Sequence, residues 1–244
     1  MPRNVNVFTD LVLETGREKL PFLSERYESY NIEDPDEILQ ARKLATVCFT
    51  NLGKISNDEV NQDGILIEDK LLSKSEFFGV FDNKSADRDI LATARLIWRP
   101  DTTIDEMRLP MEHVNEPYKT MFEQYRPGGI AEIGSLAKAS GAPTFTTLKL
   151  LRGMWRFAAE NNIDKFVCGL EPKVFPHYKK LFGSSLHELT DGTIEFPGIN
   201  GQQKPLMIDV FHGMDDVEKD HEQSALDKLQ RFVVGSYITQ DLSK

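Results

Sequence analysis

The chain is poor in cysteine, in tryptophan and in long apolar runs. Its 244 residues hold only 2 cysteines, Cys48 and Cys168, far apart in the sequence. That excludes a disulfide framework and leads us to expect a reducing compartment. No stretch approaches the ~20 consecutive apolar residues that span a bilayer. The opening residues Met1-Pro-Arg-Asn-Val-Asn-Val-Phe8 lack the apolar segment of a secretory leader, so a cytoplasmic location is expected. The five histidines are scattered, no zinc-ligand spacing occurs, and no metal is expected. Excess positive charge is missing too. The formal net charge of −10 argues against nucleic-acid binding. Internal repeats and low-complexity segments are absent.

What is present is an ordinary globular composition, 40% hydrophobic and 28% charged. The charge is uneven. Between Lys138 and Lys180 stand eight Lys/Arg and three Asp/Glu, so a basic segment sits in an acidic chain. Such a segment is either a solvated face or a surface built to meet a phosphate or an acidic partner.

The most telling stretch is Ile130-Ala-Glu-Ile-Gly-Ser-Leu-Ala-Lys138. It reads as a strand with one carboxylate, Glu132, and a central glycine, Gly134. A glycine inside a strand marks a bulge or close backbone packing. Ser140-Gly141-Ala142-Pro143 follows, and then an amphipathic helix over 144–161 with Leu148, Leu151, Trp155 and Ala158 on one face. A helix N-terminus after such a turn suits an anion.

Around this stretch the pattern predicts a short strand over 27–32 and a helix from Asp34-Pro35-Asp36-Glu37 to about Thr50, with Ile38, Leu44, Val47 and Cys48 facing a core. Strands at 76–82 and 90–98 form a hairpin, and a helix spans 118–125. A strand at 164–170 and a helix at 172–182 come next, then strands near 185–190 and 205–211 and an acidic helix over 214–235. The fold class is α+β, an α/β sandwich around a mixed sheet. The core is expected over 27–212, with an extension at 1–26 and a C-terminal acidic helix at 213–244.

This order resembles the GNAT acyltransferase fold, and within it the branch of acyl-homoserine-lactone (autoinducer) synthases and N-acyl amino acid synthases. Four segments carry the likeness: Leu44-Ala-Thr-Val-Cys-Phe49 with Asn51-Leu-Gly53, Ala92-Thr-Ala-Arg95-Leu-Ile97, Glu132-Ile-Gly-Ser-Leu-Ala137 and Ile199-Asn-Gly201-Gln-Gln-Lys-Pro205. Three positions depart from the branch's pattern. Ala45 stands where an arginine is usual, with Arg42 one turn earlier, Lys54 replaces a tryptophan, and Ser135 replaces an arginine. These departures bear on lactone synthesis more than on acyl transfer.

The resemblance implies a mostly antiparallel mixed sheet whose fourth and fifth strands splay to admit a phosphopantetheine arm. It implies transfer of a medium or long acyl group from acyl carrier protein or acyl-CoA to the amine of a small molecule such as an amino acid. Two other readings use the same residues: an acetyl-CoA-dependent N-acetyltransferase, and an acyl-ligand binding module without turnover.

Glu132 is the candidate base or amine-orienting group, or else half of an ion pair, with Arg95 as the candidate partner. Arg95 would clamp an acceptor carboxylate or sit at a rim. Tyr178 would protonate the leaving thiolate or simply pack. Gly134, Ser135, Leu136, Ala137 and Lys138 would flank the donor, Ser140, Gly141 and Ala142 would hold its phosphate, and Lys149 and Arg152 would add charge. With Arg156, and with Lys179 and Lys180, the last two form a basic surface suited to an acidic carrier or to solvent. Cys168 is a small buried strand residue or an acyl-enzyme nucleophile. Phe77, Phe78, Phe145, Trp155 and Phe157 are core or acyl-pocket aromatics.

Overall fold

A computed structural model describes residues 26–66, 70–85 and 88–211. Expectations for the N-terminal extension and the C-terminal acidic helix fall outside the described residues. The elements in chain order are β1 Tyr27–Ile32, α1 Pro35–Asn51, β2 Ser75–Asp82, β3 Ile90–Ile97, α2 Glu116–Glu123, β4 Ile130–Lys138, α3 Phe145–Glu160, β5 Lys165–Leu170, α4 Phe175–Phe182, β6 Leu186–Glu188, β7 Ile194–Phe196 and β8 Ile199–Asp209. The sheet runs β1-β2-β3-β4-β5-β8-β6, with β7 paired to β8. Every pairing is antiparallel except β4 with β5. This is the α+β sandwich that the element order implied, with the mostly antiparallel sheet that the resemblance implied.

Local chemistry explains the element ends. Asp34 accepts from the N–H groups of Asp36 (2.9 Å) and Glu37 (3.1 Å), and Pro35 takes the first turn of α1, where its missing N–H costs nothing. The helix stops at Gly53, whose φ of +67° lets the chain reverse. Gly183 (φ +54°) does the same after α4.

Two faces cover the sheet. On one, α3 brings Leu148, Leu151 and Trp155 onto Phe78, Val80 and Ala94, and the core continues through Leu181 and Phe182 of α4. On the other, Ala41 of α1 packs with Phe77 and Phe81, while Ile104, Leu109 and Phe122 cover Ile130, Val167 and Met207.

Two expectations need correction. Val47 is 53% exposed, and Ala41 and Thr46 are the buried residues of α1. Small side chains let the helix approach the sheet closely, so its inner stripe is not its most hydrophobic one. The last strand, expected near 205–211, starts earlier: Ile199 to Lys204 extends β8 and turns back on β7 at Pro197-Gly198. No helix among the described residues is long and apolar enough to cross a membrane.

Candidate active site

The β4–β5 ladder is short. It pairs Ile130 with Lys165, Ala131 with Phe166 and Glu132 with Val167, and there it ends. Beyond it β4 runs on to Lys138 while β5 stays paired with β8 through Leu170. A cavity of about 370 Å³ occupies the parting. Ile133, Gly134, Ser135, Leu136 and Lys138 line it from β4, and Cys168, Gly169 and Leu170 from β5. From α4 come Val174, His177, Tyr178 and Leu181, one stripe at i, i+3, i+4 and i+7. Thr144, Thr147, Leu148 and Leu151 close it along α3, while Arg108 and Phe196 reach it from the opposite face of the sheet. The cavity therefore passes through the sheet.

Gly134 is the reason β4 bends. Arg95 lies opposite Ser135 and Leu96 opposite Ile133, so Gly134 has no partner on β3 and forms a bulge. A Cβ there would lie 3.1 Å from Ile97 Cδ1 and 3.2 Å from Arg108 Nη2. The bulge carbonyl is not idle: Arg108 Nη2 donates to it at 2.6 Å.

Arg108 also occupies Glu132. Its Nε donates to Oε1 (2.7 Å) and its backbone N–H to Oε2 (2.5 Å). Glu132 is 0% exposed and Arg108 21%. The carboxylate expected to handle the amine thus has both oxygens engaged and does not line this cavity. Its partner is Arg108, from the Pro-rich stretch before α2, and not Arg95. Nothing in the local sequence signals this pairing.

Arg95 instead donates from Nε to Ser75 Oγ (2.6 Å) and stacks its guanidinium over Phe77 (5.8 Å to the ring centroid). With Arg42, Ala45, Thr46 and Phe49 of α1 it lines a second cavity, of about 60 Å³. The two cavities share Arg108, Gly134, Ser135 and Ile199. They meet at the bulge. Arg42 thus stands in the chamber although the usual arginine position holds Ala45.

The remaining site residues divide. Ala137 is buried and lines neither cavity. Ser140, Gly141 (φ +79°) and Ala142 form the turn joining Lys138 to Thr144, both of which line the larger cavity. Lys138 Nζ donates to the Ala142 carbonyl (2.6 Å), so the ammonium stitches the turn together. Burial lowers its pKa. Lys149 and Arg152 line no described cavity. Lys149 Nζ donates to the Tyr27 carbonyl on β1, Arg156 pairs with Glu160 (2.9 Å), and Lys179 donates to the Leu186 carbonyl. Phe77 lines the small chamber, while Phe78, Phe145, Trp155 and Phe157 belong to the core. The phenylalanine on the larger cavity is Phe196, at the β7–β8 turn, and Tyr178 is a second aromatic there.

Two ionisable groups in the larger cavity are strongly perturbed. Burial, and then the charge of Glu132, push the Cys168 thiol up to about 12. Burial, and then Cys168, raise the Tyr178 phenol well above its usual value. Both stay protonated at neutral pH. Among the described residues no group of three His, Cys, Asp or Glu could hold a metal ion.

No protein-family model and no curated protein sequence matches the chain. Solved structures do. FeeM, an N-acyl amino acid synthase from uncultured soil microbes, is 16% identical with a TM-score of 0.58, covering 76% of this chain and 91% of its own. BjaI, a CoA-dependent acyl-homoserine lactone synthase solved with SAM and isopentyl-CoA, is 10% identical with a TM-score of 0.60, covering 86% and 90%. MesI, another CoA-dependent acyl-homoserine lactone synthase, is 16% identical with a TM-score of 0.53, covering 85% and 95%. A sheet parted at a bulged β4, with two chambers meeting there, is thus set in the fold shared by the acyl-homoserine lactone synthases and the N-acyl amino acid synthase.

Proposed function

We propose that the protein is an N-acyltransferase that moves a medium or long acyl group from a phosphopantetheine thioester to the amine of a small molecule. The parting of β4 from β5 at Gly134 carries this reading. It exposes main-chain groups of Ile133 to Lys138 and of Cys168 to Leu170 along a slot that an amide-bearing arm can pair with. The walls beyond, from Leu136, Leu148, Leu151 and Leu181, suit an alkyl chain, and each buried CH₂ contributes about 0.8 kcal/mol.

The smaller chamber takes the acceptor. Arg95 and Arg42 match an acceptor carboxylate, which points to an amino acid. The amine then lies near the bulge, where the chambers meet. Arg108 and Glu132 hold the bulge in shape and act as positioning residues. Tyr178 keeps its proton and donates a hydrogen bond to the departing sulfur as charge builds there. Attack is direct, because a thiol held near 12 leaves Cys168 a poor nucleophile. The turn over Ser140, Gly141 and Ala142 suits the single phosphodiester of a carrier-bound arm, and carrier protein and coenzyme A are both donors to test.

A mass-spectrometric screen of the purified protein, with acyl-CoA and acyl-carrier donors of two to sixteen carbons against the twenty amino acids, tests the reading. An N-acyl amino acid from a donor of eight carbons or more is the expected product. Acetyl transfer alone would point to an ordinary acetyltransferase. The sealed carboxylate of Glu132 favours one rival, a module that binds acyl thioesters without turnover, and tight donor binding with no product would establish it.

A further inference from the structure

Holding the bulge does not use all of Arg108. Its Nε donates to Glu132 Oε1 (2.7 Å) and its Nη2 to the Gly134 carbonyl (2.6 Å). With two of the three guanidinium nitrogens held, the plane cannot turn, and Nη1 is fixed with it. Nη1 carries two N–H groups and has no partner among the described residues. Arg108 lines both cavities, so Nη1 is the side-chain nitrogen it has left to offer them.

The attacking amine and the thioester carbon must come within bonding distance. The residues common to the two chambers are Arg108, Gly134, Ser135 and Ile199, so the carbon reacts among them. Gly134 has no side chain, and its carbonyl already accepts from Arg108. Ile199 is aliphatic, and Ser135 brings one neutral hydroxyl. Arg42 and Arg95 line the smaller chamber alone, and Lys138 the larger alone. We infer that Arg108 is the oxyanion donor of this site, with Nη1 donating to the thioester carbonyl oxygen. The inference rests on the acyltransferase reading. In the step, the amine nitrogen bonds to the carbonyl carbon, and the π pair moves onto the oxygen, against Nη1. The pair then returns and the C–S bond breaks. The proton that the amine gives up offsets the one that the sulfur gains, and the guanidinium keeps all of its own. Glu132 cancels the net charge of Arg108. The group therefore acts as an oriented dipole, fixed before the substrate arrives, and donors held in this way stabilise developing charge without reorganising.

The experiment uses the full chain, with octanoyl-CoA and octanoyl-pantetheine carrying carbon-13 at the carbonyl as donors. Pooled amino acids, or their methyl esters, are the acceptors. In R108K a cation still faces Glu132, but the forked donor is gone. We expect kcat to fall by about 100-fold or more, equally for acids and esters. Difference infrared spectra without acceptor should place the bound carbonyl stretch below that of free donor in the wild type, and back toward it in R108K. Both readings are taken at saturating donor, so a weakened slot does not alter them. Should R108K not fold, R108M/E132L, which removes charge and counter-charge together, is read in the same way. A wild-type protein that turns over, beside a variant with unchanged kcat and stretch, overturns this inference alone. So does a loss confined to the acid acceptors, which would make Arg108 a carboxylate clamp. A wild-type protein that binds the donors and forms no product overturns the proposed function, and this inference with it.

Discussion

The two halves of β4 are chemically alike and structurally opposite. Ile130 to Glu132 are laddered to β5 and fully buried, and Glu132 pairs with Ile97 of β3 as well. Ile133 to Lys138 keep the ladder to β3 and leave the other edge to a cavity. Both halves are mostly apolar, so hydrophobicity does not separate them. The difference comes from three features at the boundary. Gly134 bulges the strand, β5 holds to β8, and Arg108 pins the last closed residue, Glu132, to the first bulged one, Gly134. A sheet is opened here by tying down the point where the opening starts.

Arg108→Ala attacks that point and should have the largest effect. It leaves Glu132 buried without a counter-charge, at about 3–5 kcal/mol. Urea unfolding should show the loss as a lower midpoint at unchanged slope. Replacing both partners with R108M/E132L should recover most of the stability while donor affinity stays weak. Recovery of both would show that the clamp does not shape the slot.

Arg95→Gln tests what the open half faces. Arg95 sits opposite Ser135, across the ladder from the cavity. Loss of a charge-assisted contact to a carboxylate costs about 1.5–3 kcal/mol, which is a rise in acceptor KM of roughly 10- to 100-fold at little cost in melting temperature. The effect should vanish for the methyl ester of the same acceptor. An equal loss for acid and ester would remove the carboxylate from the argument. Gly134→Val then tests the opening itself. The added carbons meet Ile97 and Arg108, and crowding of this kind costs about 1–3 kcal/mol. Calorimetric titration with an S-octyl-pantetheine thioether should show at least tenfold weaker binding, or about 1.4 kcal/mol.

Much of this boundary was legible in the amino acids. Gly134 in an apolar run announced the bulge, the strand and helix periods placed the elements in order, and the α3 stripe of Leu148, Leu151 and Trp155 did meet the sheet. The parts that were not legible depend on contacts between distant segments. Arg108 lies in a Pro-rich stretch with no period, and its tie to Glu132 exists only once that stretch folds over β4. Lys149 and Arg152 recur at helical spacing, but spacing tells which side chains share a face, not which neighbour the face meets. Here that neighbour is β1, through Tyr27. His177 carried no signal beyond adjacency to Tyr178 until α4 placed both on one wall.

The smallest effect concerns the first residue of β5 beyond the shared ladder. Val167 is the last to pair with β4, and Cys168 is the next. Its thiol titrates at about 12 in the folded protein against an ordinary value of 9.0. Between these values the unfolded chain has lost the proton and the folded one keeps it. Stability is therefore fully present below pH 9 and falls as pH rises toward 12, by roughly 1.4 kcal/mol per pH unit for this one group. Tyr178, raised for the same reason of burial, steepens the fall above pH 10. Cys168→Ala should flatten the slope of unfolding free energy between pH 9 and 10, before the tyrosine contributes, and should leave acyl transfer intact at pH 7.5. A slope unchanged by the substitution would mean that the parting admits enough water to ionise the thiol, and the open half of the strand would then be wet where this structure makes it apolar.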